Sequence, residues 1–253
     1  MKTVLITGCS SGFGLETARH FLAKDWRVVA TMRTPRFDLL APSDNLQILA
    51  LDVTDQDSID AAVEVAGDVD VLVNNAGIGW LNPLEGTGLE TTRDLFGTNT
   101  FGTITMTQAV LPQMRTRGAG VVVNVSSSVT LKPLPLLALY TASKAAVNAF
   151  SESLALELEP FGVRVRIVLP GRAPDTSFGA TARERMGKSG GFPDAYRPVV
   201  QAVFAGQAQA APEITRPEDV VDAVWRAATD PSSPMRIPAG ADAVALATRA
   251  TSP

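Results

Sequence analysis

Sulfur and imidazole are nearly absent from this chain. Its one cysteine, Cys9, has no partner for an intramolecular disulfide. Its one histidine, His20, cannot complete with it a zinc site of the usual nitrogen and sulfur type within one chain, so no metal is expected. Long apolar runs are missing as well. After Met1 and Lys2 comes a five-residue apolar and β-branched run, residues 3–7, and then a glycine. That run is too short for the core of a secretory signal and far too short to span a bilayer. Positive charge is not in excess either: 22 Lys and Arg stand against 26 Asp and Glu, giving a net charge of −4 and a pI near 5.1. An acidic balance argues against nonspecific binding to nucleic acid or an anionic membrane. These absences predict a soluble, cytoplasmic protein with no membrane span and no nucleic-acid partner.

What is present is alternation. Short runs rich in Val, Ile and Leu occupy residues 3–7, 27–31, 46–51, 69–73, 120–125 and 163–169. Consecutive apolar residues fit strands covered on both faces. Amphipathic stretches lie between them at 13–24, 56–66, 89–117 and 137–159. The pattern predicts an α/β fold with a doubly wound parallel sheet, whose ligands collect at the carboxyl ends of the strands. A length of 253 residues suits one such domain, 1–253, able to bury roughly 70–75% of its unfolded surface without cross-links. After residue 169 the periodicity fades. Residues from about 172 to 212 read as a lid or substrate loop with a short helix near 180–186. A helix starts at Thr215-Arg216-Pro217-Glu218 and runs to Ala228; 235–238 reads as a last strand, and the Ala-rich end resists assignment.

The first strand runs into Thr7-Gly8-Cys9-Ser10-Ser11-Gly12-Phe13-Gly14, and a helix follows. Glycines allow a tight turn and a close backbone approach, and the amino end of the helix offers unpaired N–H groups to a phosphate. In this strand–turn–helix setting the turn reads as a dinucleotide site. Gly8-Cys9-Ser10-Ser11-Gly12 also matches the G-x-S-x-G elbow of serine hydrolases. That chemistry needs a histidine base. His20 sits about one and a half turns into the following helix and would have to curl back over its start, so the hydrolase reading fails. At the end of the second strand stand Met32, Arg33 and Thr34, with Arg36 beyond and no acid in the position that would bond a ribose 2′-hydroxyl. A guanidinium there suits a 2′-phosphate, so NADP(H) is expected, with NAD(H) left open and a solvated loop charge as the plain alternative for Arg33.

Tyr140 and Lys144 are four residues apart in a helical stretch and so share a face. A tyrosine of ordinary pKa, about 10, is a poor base at neutral pH. A neighbouring ammonium is expected to lower it, and a drop of about three units takes about 4 kcal/mol of differential stabilisation. Ser127 precedes the tyrosine by thirteen residues, just past the fifth strand, with Ser126 and Ser128 as rivals.

With these residues in place, the sequence resembles the short-chain dehydrogenase/reductase family to about residue 240. The shared motifs are the turn from Thr7 to Gly14, Leu51-Asp52-Val53, Asn74-Asn75-Ala76-Gly77, Asn99-x-x-Gly102, Ser127, Tyr140-x-x-x-Lys144 and Pro170-Gly171. The glycine turn and the ending Pro238-Ala239-Gly240-Ala241-Asp242 look closest to its 17β-hydroxysteroid and retinol dehydrogenase-like branch. The resemblance implies a Rossmann-type fold and a hydride transfer between nicotinamide and a hydroxyl or carbonyl carbon. It also implies roles. Tyr140 is the general acid/base. Lys144 lowers its pKa and holds the nicotinamide ribose, Ser127 positions the substrate oxygen, and Asn99 supports a proton-relaying water. Gly8, Ser10, Ser11, Gly12, Phe13 and Gly14 cradle the cofactor, joined by Arg33, by Asp52 and Val53 at the adenine, by Asn75, Ala76 and Gly77 at the ribose, and by Pro170 and Gly171. One position departs: the family often has a threonine four residues past that glycine, whereas here Asp175 stands there and Thr176 one later. Either the loop bulges by one residue or a nicotinamide contact is lost.

Around the expected pocket, Trp80, Leu81, residues 131–137 and Phe178 are largely apolar. A hydrophobic ketone or secondary alcohol fits such walls; packing of the loop is the plain alternative for several of these leucines. A nucleotide sensor or scaffold without turnover is the rival reading, against which the joint presence of Asn99, Ser127, Tyr140 and Lys144 argues. The resemblance further implies a homodimer or homotetramer built through the helices at 89–117 and 137–159.

Overall fold

In β1 (Thr3–Ile6) every side chain is buried, yet the strand serves two cores. Val4 and Ile6 face one side and Leu5 the other, because successive strand residues point to opposite faces. The computed structural model describes residues 1–174, 176–188, 190–208 and 214–250. After β1 come α1 (Gly12–Ala23), β2 (Arg27–Met32), β3 (Leu46–Ala50), α2 (Gln56–Ala66) and β4 (Val71–Asn74). Then follow α3 (Leu89–Phe96), a π-helical turn (Gly97–Phe101), α4 (Gly102–Arg117), β5 (Gly120–Val125), α5 (Ala138–Leu158) and β6 (Val163–Pro170). The described chain closes with α6 (Ser177–Lys188), α7 (Arg197–Ala208), α8 (Pro217–Thr229), β7 (Arg236–Ala239) and α9 (Ala241–Ala250).

The strands form one seven-stranded sheet in the order β3-β2-β1-β4-β5-β6-β7. All six pairings are parallel. This is the doubly wound, Rossmann-type α/β fold. One face buries Phe21 of α1, Trp26, and Val220 and Val224 of α8 against Val4, Val28 and Val73. The other packs Ile59 of α2, Met106, Val110 and Met114 of α4 and Leu154 of α5 against Leu5, Leu72 and Val122. Strand order reverses between β1 and β4, which opens a crevice at their carboxyl ends. Around that crevice lie the ends of β1, β4, β5 and β6, each of which leads into one of the motifs.

The stretch 89–117, read from sequence as one helix, is broken by the π turn, a local widening that frequently marks a functional site. It carries Asn99. Residues 170–212 hold more structure than their pattern announces. A helix replaces the short one expected near 180–186, beginning earlier and ending later, and α7 was not foreseen. Its apolar residues Val199 and Phe204 are about 40% exposed, at 41% and 40%, so the segment has no sharply apolar face to read. Residues 175, 189 and 209–213 lie outside the described residues, and with them Asp175 and the end of the expected lid at Pro212. The unassigned Ala-rich end is the helix α9, in keeping with alanine's helix propensity. Thr215 to Glu218 does start a helix, with Pro217 in its first turn and Asp219 Oδ2 accepting from the Arg216 N–H at 2.8 Å.

Candidate active site

The glycine turn is tied to the end of β4 rather than left as a free loop. Thr7 N–H donates to Val73 O at 3.0 Å. Thr7 Oγ1 accepts from the N–H groups of Asn75, at 3.0 Å, and Ala76, at 2.9 Å. Asn75 returns the contact, its Nδ2 donating to Thr7 O at 2.9 Å and Gly8 O at 3.1 Å. Gly8 has φ +75°, and a Cβ on Gly14 would collide with Gly8 O and with Asn75 Nδ2. Only glycine fits there, and what results is bare backbone at the amino end of α1, a shape and polarity that fit a pyrophosphate. The Asn75 side chain thus holds the turn, a contact that its place in an Asn-Asn-Ala-Gly motif did not reveal.

His20 is remote from this turn in orientation. Its ring packs edge-on against Trp225 of α8, centroids 5.1 Å apart, so no base reaches Ser10 from it. Cys9 is fully buried, its thiol pushed up to about 12 by loss of solvent, which leaves it inert. Past β2, Arg33 is exposed and close enough to Asp52 to help hold that carboxyl below its ordinary range, after the backbone and hydroxyl of Thr54. Arg36 is engaged by Asp38 at 2.7 Å. Asp52 Oδ1 accepts from Thr54 N–H at 2.9 Å and Thr54 Oγ1 at 2.7 Å. Val53 reaches over Gly102, where a Cβ would meet it at 2.7 Å; this accounts for the glycine of Asn99-x-x-Gly102.

Across the crevice, the Ser127 hydroxyl stands near enough to that of Tyr140 to draw the phenol's pKa down. Ser127 Oγ also accepts from Val129 N–H at 3.4 Å, capping the short turn Ser128–Thr130. Its rival Ser126 is turned to the carbonyl of Lys144, at 3.3 Å. Lys144 Nζ donates to Val125 O at 2.9 Å. A Cβ on Gly77 would stand 3.4 Å from Lys144 Nζ and 3.2 Å from Asn99 Oδ1, so three separate motifs converge on one glycine. Asn99 is fully buried. Its Oδ1 accepts from Ile78 N–H at 2.8 Å, and its Nδ2 donates to Ile78 O at 3.0 Å and to Ser143 Oγ at 3.1 Å. The side chain therefore fixes the end of β4 to α5. Ser143, beside Lys144, carried no pattern that could mark it in the sequence. Beneath the site, Asn74 Nδ2 donates to Asn124 Oδ1 at 2.9 Å and to Thr107 Oγ1 at 3.0 Å, while Asn124 Nδ2 donates to Ser151 Oγ at 2.8 Å. This buried amide chain locks β4 and β5 to α4 and α5.

The electrostatics differ from the sequence expectation. Lys144 was expected to acidify Tyr140. Instead burial pushes the phenol up to about 12, with the nearby Ser127 hydroxyl pulling it only partly back. Burial also pushes Lys144 down to about 8. Loss of hydration dominates at both groups, and the Lys144 ammonium donates to the Val125 carbonyl. At neutral pH the phenol keeps its proton and most of the lysine is charged. In that state the phenol carries a proton available for donation.

Helix α6 covers this corner. Phe178 of α6 lies against Tyr140, with ring centroids 5.8 Å apart and planes tilted by 55°. Met186, also of α6, packs on the cluster of Trp80, Leu95 and Tyr140. At the start of the lid, Thr176 Cβ lies 3.7 Å from where a Cβ of Gly12 would be, and its hydroxyl turns back to Ala173 O at 2.9 Å. Thr176 thus stands over the glycine turn, one residue beyond the family's usual threonine. Pro170 ends β6, and Gly171 follows at the neck of the lid.

A glycine-turn crevice facing a neighbouring Ser–Tyr pair with a buried lysine is the arrangement of a nicotinamide-dependent oxidoreductase. The comparisons with known proteins agree. The short chain dehydrogenase family profile matches residues 2–187. Human retinol dehydrogenase 8 is 36% identical over 255 residues, covering 93% of this chain and 80% of its own length. A crystal structure of a short-chain dehydrogenase from Streptomyces avermitilis superposes with a TM-score of 0.80 at 35% identity, over 98% of this chain and 91% of that one. A closed form of serine dehydrogenase complexed with NADP+ gives 0.78 at 30% identity, over 94% of each chain. The chain belongs to the short-chain dehydrogenase family.

Proposed function

We propose that the protein is an NADP(H)-dependent ketoreductase or alcohol dehydrogenase acting on a hydrophobic ketone or secondary alcohol. The observation that carries this reading is the convergence of Ser127, Tyr140 and the buried Lys144 beneath an apolar cover formed by Phe178, Met186 and Trp80. When bound, the dinucleotide supplies or accepts the hydride at its nicotinamide ring. The chain does the rest. Gly8, Ser10, Ser11, Gly12, Phe13 and Gly14 hold the phosphates. Asp52 and Val53 border the adenine; Asn75, Ala76 and Gly77 line the ribose side through their backbone; Pro170 and Gly171 close the nicotinamide side. Ser127 orients the substrate oxygen. Tyr140 donates its proton to that oxygen in reduction and takes it back in oxidation. Lys144 places its charge by the nicotinamide ribose, and Asn99 keeps the Ile78 backbone and α5 in register around it.

The preference for NADP(H) rests on Arg33, an exposed guanidinium past β2 in place of an acid, and on the NADP-bound state of a solved relative. The substrate class rests on the apolar cover and on likeness to a retinol dehydrogenase. We read the whole chain as one catalytic domain with residues 172–212 as its lid, paired with further copies through α4 and α5. In support, Leu156 of α5 and Phe101 beside α4 are 74% and 61% exposed. No helix among the described residues is long and apolar enough to cross a membrane.

The test follows NADPH or NADH oxidation against a panel of steroid, retinoid and aryl ketones. Faster turnover with NADPH on an apolar ketone is expected. NADH serving at least as well overturns the cofactor preference. Nucleotide binding without turnover on any member favours a sensor or scaffold. Tyr140→Phe is expected to lower turnover by about 10³-fold, within the range of general acid catalysis, while NADPH binding stays within about twofold. Surviving activity removes Tyr140 as the acid.

A further inference from the structure

The lid begins at Gly171 and returns to the body at Thr215, and one small polar junction joins both ends. Gly171 N–H donates to Thr215 Oγ1 at 2.9 Å. Thr215 N–H donates to Arg172 O at 2.8 Å. The Thr215 hydroxyl lies 2.7 Å from Asp242 Oδ1 and 2.8 Å from Ala239 O, and it is fully buried. Asp242, at the start of α9, accepts from Arg172 N–H at 2.6 Å through its other oxygen. The junction leaves no space: a Cβ on Gly171 would collide with the Asp242 carboxylate, and one on Gly240, at φ +94°, with Thr215 Oγ1. Beyond Asp242, α9 also lies against the Ser128–Thr130 turn that Ser127 caps. A single carboxylate near the carboxyl end of the chain is thus bonded to both strands of the lid's neck, on an element that touches the serine turn.

We propose that Thr215 and Asp242 are positioning residues, which clamp the two ends of the lid together and fix the Pro170–Gly171–Arg172 backbone over the nicotinamide side of the site. The inference rests on the proposed function for its catalytic consequence only; the clamp is a feature of the lid whatever the substrate. The physical reason is that two hydrogen bonds to one carboxylate, both charge-assisted, set a backbone position more narrowly than apolar packing does. Lid helix α6 hangs from this neck, so its height over Tyr140 follows from it.

Thr215→Val keeps the shape and removes the hydroxyl; Thr215→Ser keeps the hydroxyl. Both are compared with the wild type for melting temperature, for KM and kcat with NADPH and an apolar ketone, and for the rate of tryptic cleavage at Arg183 and Arg185 of α6. For Thr215→Val we expect KM for NADPH to rise about tenfold, equivalent to 1.4 kcal/mol, with kcat at saturation changed less. Lid cleavage is expected to quicken several-fold, and Thr215→Ser should restore both. Asp242→Asn, which retains one acceptor, is expected to fall between. A folded Thr215→Val protein with wild-type KM and wild-type cleavage overturns the proposal. So does a Thr215→Ser protein that behaves as the valine variant. If Thr215→Val does not fold, Asp242→Asn with unchanged lid cleavage is the overturning result. Cleavage needs no substrate, so a quickened lid in an enzyme that reduces none of the ketones defeats the substrate assignment and leaves the clamp standing.

Discussion

The floor and the roof of the crevice are built from different interactions. On the floor, four hydrogen bonds of 2.9 to 3.1 Å join Thr7 and Gly8 past β1 to Asn75 and Ala76 past β4, almost seventy residues away. Polar side chains there are committed to holding main chain, next to fully buried strands. The roof rests on Phe178 and Met186 and on rim contacts such as Asn82 Nδ2 to Gly191 O at 3.2 Å. Phe178 itself is 39% exposed. Dense buried hydrogen bonding resists local opening, and sparse, half-exposed apolar contact permits it. On the proposed function, the floor would hold the dinucleotide and the roof would cover the substrate, and damage to each should read out in a different constant.

The comparison breaks most severely at Gly14. Gly14→Ala forces a methyl against Gly8 O and Asn75, and the backbone of the turn has to shift. We expect NADPH affinity to fall by more than about 30-fold and stability by about 2 kcal/mol, as for overpacking of a rigid site. Fluorescence titration and thermal melting measure the two. An alanine variant binding like the wild type would mean that the floor is softer than its hydrogen bonds imply.

Lys144 sharpens the comparison through pH. Its folded value of about 8 lies below the ordinary 10.5. Between those values the unfolded chain holds a proton that the folded one has released, so this group makes stability rise with pH. Tyr140 acts in the opposite sense between 10 and about 12, where the folded chain keeps its proton. Stability should thus climb from pH 8 towards 10 and turn over above it, the Lys144 part amounting to about 3 kcal/mol in full. Carbonyl reduction should fall over the same window, by about tenfold for each unit above the lysine's value, because the charged lysine is lost. Lys144→Met is expected to abolish activity and remove the climb. A flat stability profile in the wild type between pH 8 and 10 would show that the ammonium is not desolvated as its burial indicates.

The smallest effect belongs to the roof. Phe178→Ala should raise KM for an apolar ketone several-fold, about 1 kcal/mol for a half-exposed ring, with NADPH affinity and melting temperature nearly unchanged. If NADPH affinity drops with it, floor and roof are not separable in the way their contacts suggest.

Much of this was legible in the residues. The six strand-sized runs marked strands of the sheet to within a residue or two, because strands buried on both faces must be apolar throughout. Tyr140 and Lys144 share a face because a helix repeats every 3.6 residues, and Ser127 follows a strand that can end at only one rim of the sheet. Local pattern could not disclose Asn75's grip on the turn, Ser143's contact with Asn99, or the helix α7, whose apolar residues are only half-buried or exposed. Nor could it rank desolvation against attraction at Tyr140.

By itself the sequence determined the layer order, the place of the crevice and which side chains are the candidates for the reaction, since each follows from short-range periodicity and from chain direction. Tertiary structure alone decided which proton the phenol keeps, how Thr176 settles over the glycine turn, and that Asp242, far along the chain, reaches the neck of the lid. Burial and hydrogen bonding are properties of neighbours in space, and those neighbours exist only once the chain has closed on itself.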